Sequence, residues 1–219
     1  VAELAHRRGI PVIADDTIGT GLNLQALPHV DLIFTSLPKS FAGPGDVMAG
    51  SLLVSTQSPW SDQLLTAICP VAPLADGDAI ALEQASRDVD QRVPKLDANA
   101  LALAERLERH PAVERLQHPK DCPNFRALMR PDAGHGCLLS LELKQGEAKA
   151  SRVYDALKVC KGPSLGTSFT LACPYTQLAH YDELGWASDC GVPSHLLRVS
   201  VGLEDPNELW KRFRDALEV

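Results

Sequence analysis

No run of the 219 residues is apolar over the roughly 20 positions a bilayer-spanning helix needs, so a membrane-spanning helix is excluded. The N-terminus lacks the basic, apolar and small-residue order of a secretory leader, and a cytoplasmic protein is expected. Excess positive charge is also missing: 28 Asp and Glu oppose 21 Lys and Arg, for a formal charge of -7. The basic face that attracts nucleic acid or an anionic membrane surface is therefore absent. The six cysteines include no CxxC pair and none of the close spacing of a disulfide scaffold, so free buried thiols are expected. His118 with Cys122, and His135 with Cys137, lie close in sequence. Both stretches read as loop or strand ends rather than a zinc knuckle, and no metal site is expected. There is no internal repeat, no low-complexity tract and no initiator Met. The chain opens on Val1 and passes at once into the amphipathic stretch VAELAHRR, which reads as a piece of a longer protein.

A hydrophobic content of 45% is enough for a substantial core. Residues 1–8 are helical by composition, Gly9 ends the helix, and IPVIA (10–14) is a short apolar run of the kind buried on both faces of a parallel sheet. DLIFTS (31–36) and GSLLVS (50–55) have strand length and are separated by Gly/Pro-rich linkers. Three short buried strands with polar loops at their carboxyl ends indicate an open α/β sheet, which binds ligands beyond those ends. From Asp76 the pattern is helical through EQASRDVDQR. Pro94 is expected to break it, and KLDANALALAERLERH resumes apolar positions at helical spacing. Beyond Pro111 the order is strand (VERLQH), strand (CLLSLEL), helix (147–158), strand (FTLAC), strand (HLLRVSVG) and a final helix from Pro206. Antiparallel strands with helices on one face fit that order.

Lys39 lies three residues past a strand, in SLPKSFAGPGDVMAG. A lysine held at a strand end in a partly apolar pocket is a nucleophile toward an aldehyde, although most loop lysines are solvated surface groups. Asp15 and Asp16 follow IPVIA directly and reach the ligand edge of the sheet. One of them could face a ring nitrogen, or both could simply cap the loop. Ser36, Gly43 and Gly45 supply a hydroxyl and permissive backbone suited to a phosphate.

The order of these pieces is more specific than any one of them. IADDTIGT followed after about twenty residues by DLIFTSLPKSFAGPGDVMAGSLLVS resembles the strand–Asp–Asn–Thr and Ser-x-Thr-Lys motifs of the cystathionine γ-synthase (Cys/Met metabolism) family of pyridoxal-phosphate enzymes. SLGTSFTLACPYT is similar to that family's Ser-Leu-Gly loop, and LLRVSVGLED to its terminal Arg-x-Ser-Val-Gly-Leu-Glu motif. The connector SRDVDQRVPKLDANALALAERL also looks familial and, with the Asp-Asp-Thr-Ile-Gly form, most resembles the branch found in fungi.

The resemblance implies a type I fold of the aspartate-aminotransferase kind. Residues 1–90 would form the latter part of the large cofactor-binding α/β domain, 91–110 a connecting helix, and 111–219 a small α+β domain. It implies pyridoxal 5'-phosphate carried by Lys39, with Lys39 also the catalytic proton carrier, Asp15 against the ring nitrogen and Ser36 at the phosphate. Arg198 would grip the substrate α-carboxylate, and Ser164 would line the same pocket. The implied reaction is γ-replacement or elimination on an activated homoserine, giving cystathionine from cysteine. Sibling sulfhydrylase, methionine γ-lyase and cystathionine lyase activities are alternatives, as is a cofactor-free remnant that keeps the fold. A homotetramer built from dimers is implied as well. The chain departs from the family pattern at Pro38, which stands where Thr usually precedes the lysine, at Asp16 in place of Asn, at Pro44 between the glycines, and at Gln177 where His often follows the Thr.

Overall fold

The computed structural model describes residues 1–219 as two sheets joined by one long helix. The first unit runs α1 (Ala2–His6), β1 (Ile13–Asp15), β2 (Leu32–Ser36), β3 (Gly50–Val54), α2 (Ser61–Ile68) and α3 (Asp76–Ser86). The strands lie in the order β1-β2-β3, with β1/β2 parallel and β2/β3 antiparallel. Asp31, just before β2, is fully buried and accepts hydrogen bonds from the Val12 amide (2.6 Å) and the Ser58 hydroxyl (2.7 Å), with His6 Nε2 at 2.8 Å. Burial opposes ionisation of this carboxyl, but those partners hold it below the usual range. It thereby ties α1 to the sheet.

The sheet is less covered than the apolar runs suggest. Ile13, Phe34, Leu52 and Leu53 remain 40–55% exposed, so the expectation of three buried strands fails. These side chains are only about half covered, and the buried cluster beside the sheet is Ala42, Val47 and Leu82.

Helix α4 (Val89–Glu108) leads to β4 (Val113–Gln117), α5 (Pro123–Leu128), β5 (Leu138–Leu143), α6 (Gly146–Ala156), β6 (Cys160–Lys161), β7 (Leu171–Pro174), α7 (Tyr175–Ala179), α8 (Leu184–Asp189), β8 (Leu197–Ser200) and α9 (Pro206–Leu217). The strand order is β4-β5-β8-β7-β6, antiparallel except for the β6/β7 edge. In β5 burial alternates with the pleat, so Leu139, Leu141 and Leu143 point inward. They meet Leu103 and Leu107 of α4, Val153 of α6 and Leu209 and Phe213 of α9 in one core of 21 residues. The Asp205 carboxylate caps α9 by accepting from the Asn207 and Glu208 amides, and Pro206 occupies the first turn, where its missing N–H costs nothing.

Pro94 does not break the connector; it sits inside α4. The ring removes only the bond to the Asp90 carbonyl. The buried stripe Val93, Leu96, Ala100, Leu103, Ala104 and Leu107 continues on both sides, and the helix runs on through it. The break falls earlier, at Arg87–Asp88. The thiols also differ from expectation, because only Cys137 and Cys173 are buried while Cys69, Cys122, Cys160 and Cys190 are exposed. No helix is long and apolar enough to cross a membrane.

Asp97 of α4 is 5% exposed, beside Asn23 of the first unit and against Gly134 of the second. Burial pushes its carboxyl up to about 6 from an ordinary 3.8, with Asn23 and the Gly136 amide acting the other way. A raised carboxyl favours the protonated folded state. This contribution is therefore complete below pH 3.8 and is lost as pH rises through 6. Asp97→Asn, which keeps the shape without the charge, is expected to raise the urea stability at pH 8 by on the order of 3 kcal/mol at most and to change it little at pH 4. Equal effects at both pH values would contradict this.

Candidate active site

Lys39, Asp15, Ser36 and Ser164 sit at strand ends and in loops, and Arg198 lies within β8. β1 ends on Asp15, whose carboxylate accepts the Thr17 amide at 2.9 Å and stays exposed on the face it shares with Phe34 and Ser36. Asp16 turns the other way and is buried near Gly19 and Gly21. Burial raises its carboxyl, while the Gly21 amide and Arg130 pull it down. The two adjacent acids are thus physically distinct, one open and one structural. Thr17 Oγ1 accepts the Ser36 amide at 2.9 Å, so the turn after β1 is fastened to the end of β2.

After Ser36 the chain turns through residues 37–43, closed by the Ala42 amide on the Leu37 carbonyl and the Gly43 amide on the Lys39 carbonyl. Lys39 is half-buried in this turn, and its Nζ donates to Ser164 Oγ at 3.0 Å, 125 residues away in sequence. Arg198, in the middle of β8, donates Nη2 to the Pro163 carbonyl and to the Ser164 carbonyl (3.3 Å), and its guanidinium lies 5.3 Å from the Tyr175 ring centre. Facing it across β7/β8 is Cys173, whose thiol is pushed up by burial and eased back by Arg198. Lys39, Ser164 and Arg198 therefore form one contiguous cluster. Asp15 and Ser36 share the neighbouring sheet face and make no direct bond to Lys39.

Sequence reasoning missed the residues that hold the 163–170 loop in place. Ser200 Oγ accepts the Gly166 amide at 2.8 Å, Thr170 Oγ1 accepts the Gly202 amide at 2.9 Å, and Glu204 accepts both the amide and the hydroxyl of Thr170 at 2.7 Å. Asn99 of α4 donates to the Gly202 and Glu204 carbonyls. The segments SLGTSFT and RVSVGLE are thus stitched together residue by residue. Pairing those two segments by their Ser, Thr and Glu side chains was the available signal. Arg92, which reaches the lysine turn from α4, gave no signal beyond its place in the connector. A separate recess of about 360 Å³ between α6 and the start of β8, with His195 in its wall, contains none of the candidate residues.

The two-unit fold is that of solved pyridoxal-phosphate enzymes. Superposed on the crystal structure of cystathionine γ-synthase from Xanthomonas oryzae pv. oryzae in complex with cystathionine, the chain gives a TM-score of 0.86 at 25% identity, covering 99% of this chain and 57% of that one. The family described as Cys/Met metabolism PLP-dependent enzyme matches residues 1–218, and the chain belongs to it. It is 40% identical over 226 residues to the cystathionine γ-synthase of Neurospora crassa, and 40% identical over 225 residues to a cystathionine γ-synthase-like protein of Aspergillus thermomutatus. Those alignments cover 100% and 99% of this chain but 36% and 39% of the relatives, so the chain spans well under half of their length.

The lysine turn and the serine loop touch backbone to backbone. A Cβ on Gly166, which has φ +68°, would come within 2.6 Å of the Ser40 amide nitrogen. Gly166→Ala is expected to lower stability by roughly 1–3 kcal/mol and to free Lys39 from Ser164, read as faster labelling of Lys39 by an amine-reactive reagent in peptide maps. Unchanged labelling with unchanged stability would show that the contact is loose.

Proposed function

We propose that this chain, within its full-length protein, catalyses γ-replacement or elimination on an activated homoserine, forming cystathionine from cysteine. The observation that carries this reading is the joining of Lys39, Ser164 and Arg198 across 125 and 34 residues of sequence. The donor set also suits pyridoxal phosphate. An amine for its aldehyde, a carboxylate for its ring nitrogen and a hydroxyl for its phosphate stand on Lys39, Asp15 and Ser36 at the carboxyl ends of β1 and β2. That group, when bound, supplies an electron sink for negative charge developing on the substrate carbon.

In this reading Lys39 Nζ holds the cofactor and then moves protons at the substrate carbons, with Ser164 Oγ orienting it. Asp15, open where Asp16 is buried, keeps the ring nitrogen protonated. Ser36 binds phosphate without help from Pro38, which has neither a hydroxyl nor a free N–H. Arg198 binds the substrate α-carboxylate through its planar fork; its present partners are carbonyls, so the fork is already aimed by the 163–164 backbone. The name of the Neurospora relative and the cystathionine in the Xanthomonas complex support cystathionine as the product. The division into 1–90, 91–110 and 111–219, a tetramer built from dimers and a cytoplasmic location belong to the same proposal. The sulfhydrylase and lyase activities use the same residues and remain its alternatives.

In the full-length protein, Arg198→Lys is expected to cost about 2–4 kcal/mol, on the order of thirty- to a thousandfold in kcat/KM for cystathionine formation, with the cofactor absorbance unchanged. An unaltered kcat/KM sinks the carboxylate role. Asp15→Ala is expected to abolish turnover, and Asp16→Ala to act chiefly by lowering the melting temperature. The reverse order would assign the ring nitrogen to Asp16.

A further inference from the structure

Arg92 has a buried charge that the site as described leaves unexplained. It lies near the start of α4 and is 4% exposed, yet the only carboxylate it meets is that of Asp88, one turn earlier, whose side chain is 61% exposed. A solvated partner of that kind contributes little and does not offset the desolvation of a guanidinium. Its Nη2 turns to backbone instead. Nη2 donates to the Phe41 carbonyl at 2.7 Å and to the Ser40 carbonyl at 3.4 Å, the two residues directly after Lys39. Nε is buried with no partner, and a Cβ on Gly43 would lie 3.0 Å from it.

The turn is held from the opposite side too. Gly43 has φ +92°, its carbonyl accepts the Ser168 amide at 3.1 Å, and Gly166 presses against Ser40. The lysine turn is therefore gripped between a guanidinium from the joining helix and a loop from the second sheet. A lysine Nζ rides on a flexible four-carbon stem, so the volume it can reach is set by where its backbone is fixed. We propose that Arg92 is a positioning residue for Lys39, fixing the carbonyls that follow it so that Nζ is presented to the Ser164 side of the site. This rests on Lys39 being the lysine that carries the cofactor.

The test uses the full-length protein stripped of cofactor and reloaded with pyridoxal phosphate. Borohydride reduction at timed intervals, followed by peptide mass spectrometry, gives the rate at which the adduct forms on Lys39. Arg92→Met is expected to slow that rate by at least about tenfold, since small misplacements of a reacting group carry large penalties. Arg92→Lys is expected to recover part of the loss, because an ammonium satisfies one carbonyl but cannot span two. Leu103→Ala, in the core on the same helix, serves as the control: it should lower the melting temperature without slowing the adduct. Should Arg92→Met not fold, Gly43→Ala addresses the same contact from the loop side, by crowding Arg92 Nε and Ser168 Oγ, and should slow the adduct in the same way. If the Arg92 and Gly43 variants form the Lys39 adduct at the rate of Leu103→Ala, this inference is overturned and the reading of Lys39 stands. If the unaltered protein carries the adduct on another lysine, both are overturned.

Discussion

The site depends on a contact that leaves no room for a side chain. The turn bearing Lys39 belongs to the first sheet and the loop bearing Ser164 to the second, and they meet where Gly166 faces the backbone of Ser40. Neither segment has regular structure to fix it, so each is fixed by side chains from elsewhere. Arg92 holds the first through its carbonyls; Ser200, Thr170 and Glu204 hold the second. α4 carries both Arg92 and Asn99, so one rigid helix sets the distance between the two supports. A cluster assembled from loops thus gains its precision from the elements behind them.

The two sheets bury clusters of unequal size. The second closes a core of 21 buried residues around β5, β8, α4 and α9, whereas the first has a cluster of three and leaves Phe34 and Leu52 partly open. The first unit is held largely by polar bonds, those of Asp31 to Val12, Ser58 and His6 and that of Thr17 to Ser36. Asp97, buried where the two units meet, adds a charge that folding tolerates poorly, so the junction is strongest where that carboxyl is protonated.

Much of the second unit was legible because its strands alternate and its helices carry apolar stripes. β5 and α9 lie where the periodicity of CLLSLEL and the Asp-Pro start of the last helix place them. α2, α5, α7, α8 and the two-residue β6 went unread, being short and built on tertiary contacts rather than on a period. Pro94 misled because a single proline costs one hydrogen bond and a buried stripe on both sides outweighs it. The first sheet misled because an apolar run reports what a strand is able to bury, not what lies over it. The candidate residues themselves came from motif order, and the cluster of Lys39, Ser164 and Arg198 agrees with that order. Arg92 was invisible because its partners are backbone carbonyls, which carry no residue identity.

Whether Lys39 and Arg198 serve one site joined through the 163–168 loop would be decided by a crystal structure of the full-length protein with pyridoxal phosphate. Electron density continuous from Lys39 Nζ into the cofactor is expected, with Ser164 Oγ beside that junction and the Arg198 guanidinium opening onto the same chamber. Density continuous from a different lysine, or an Arg198 turned away from the cofactor into an ion pair of its own, would contradict a shared site.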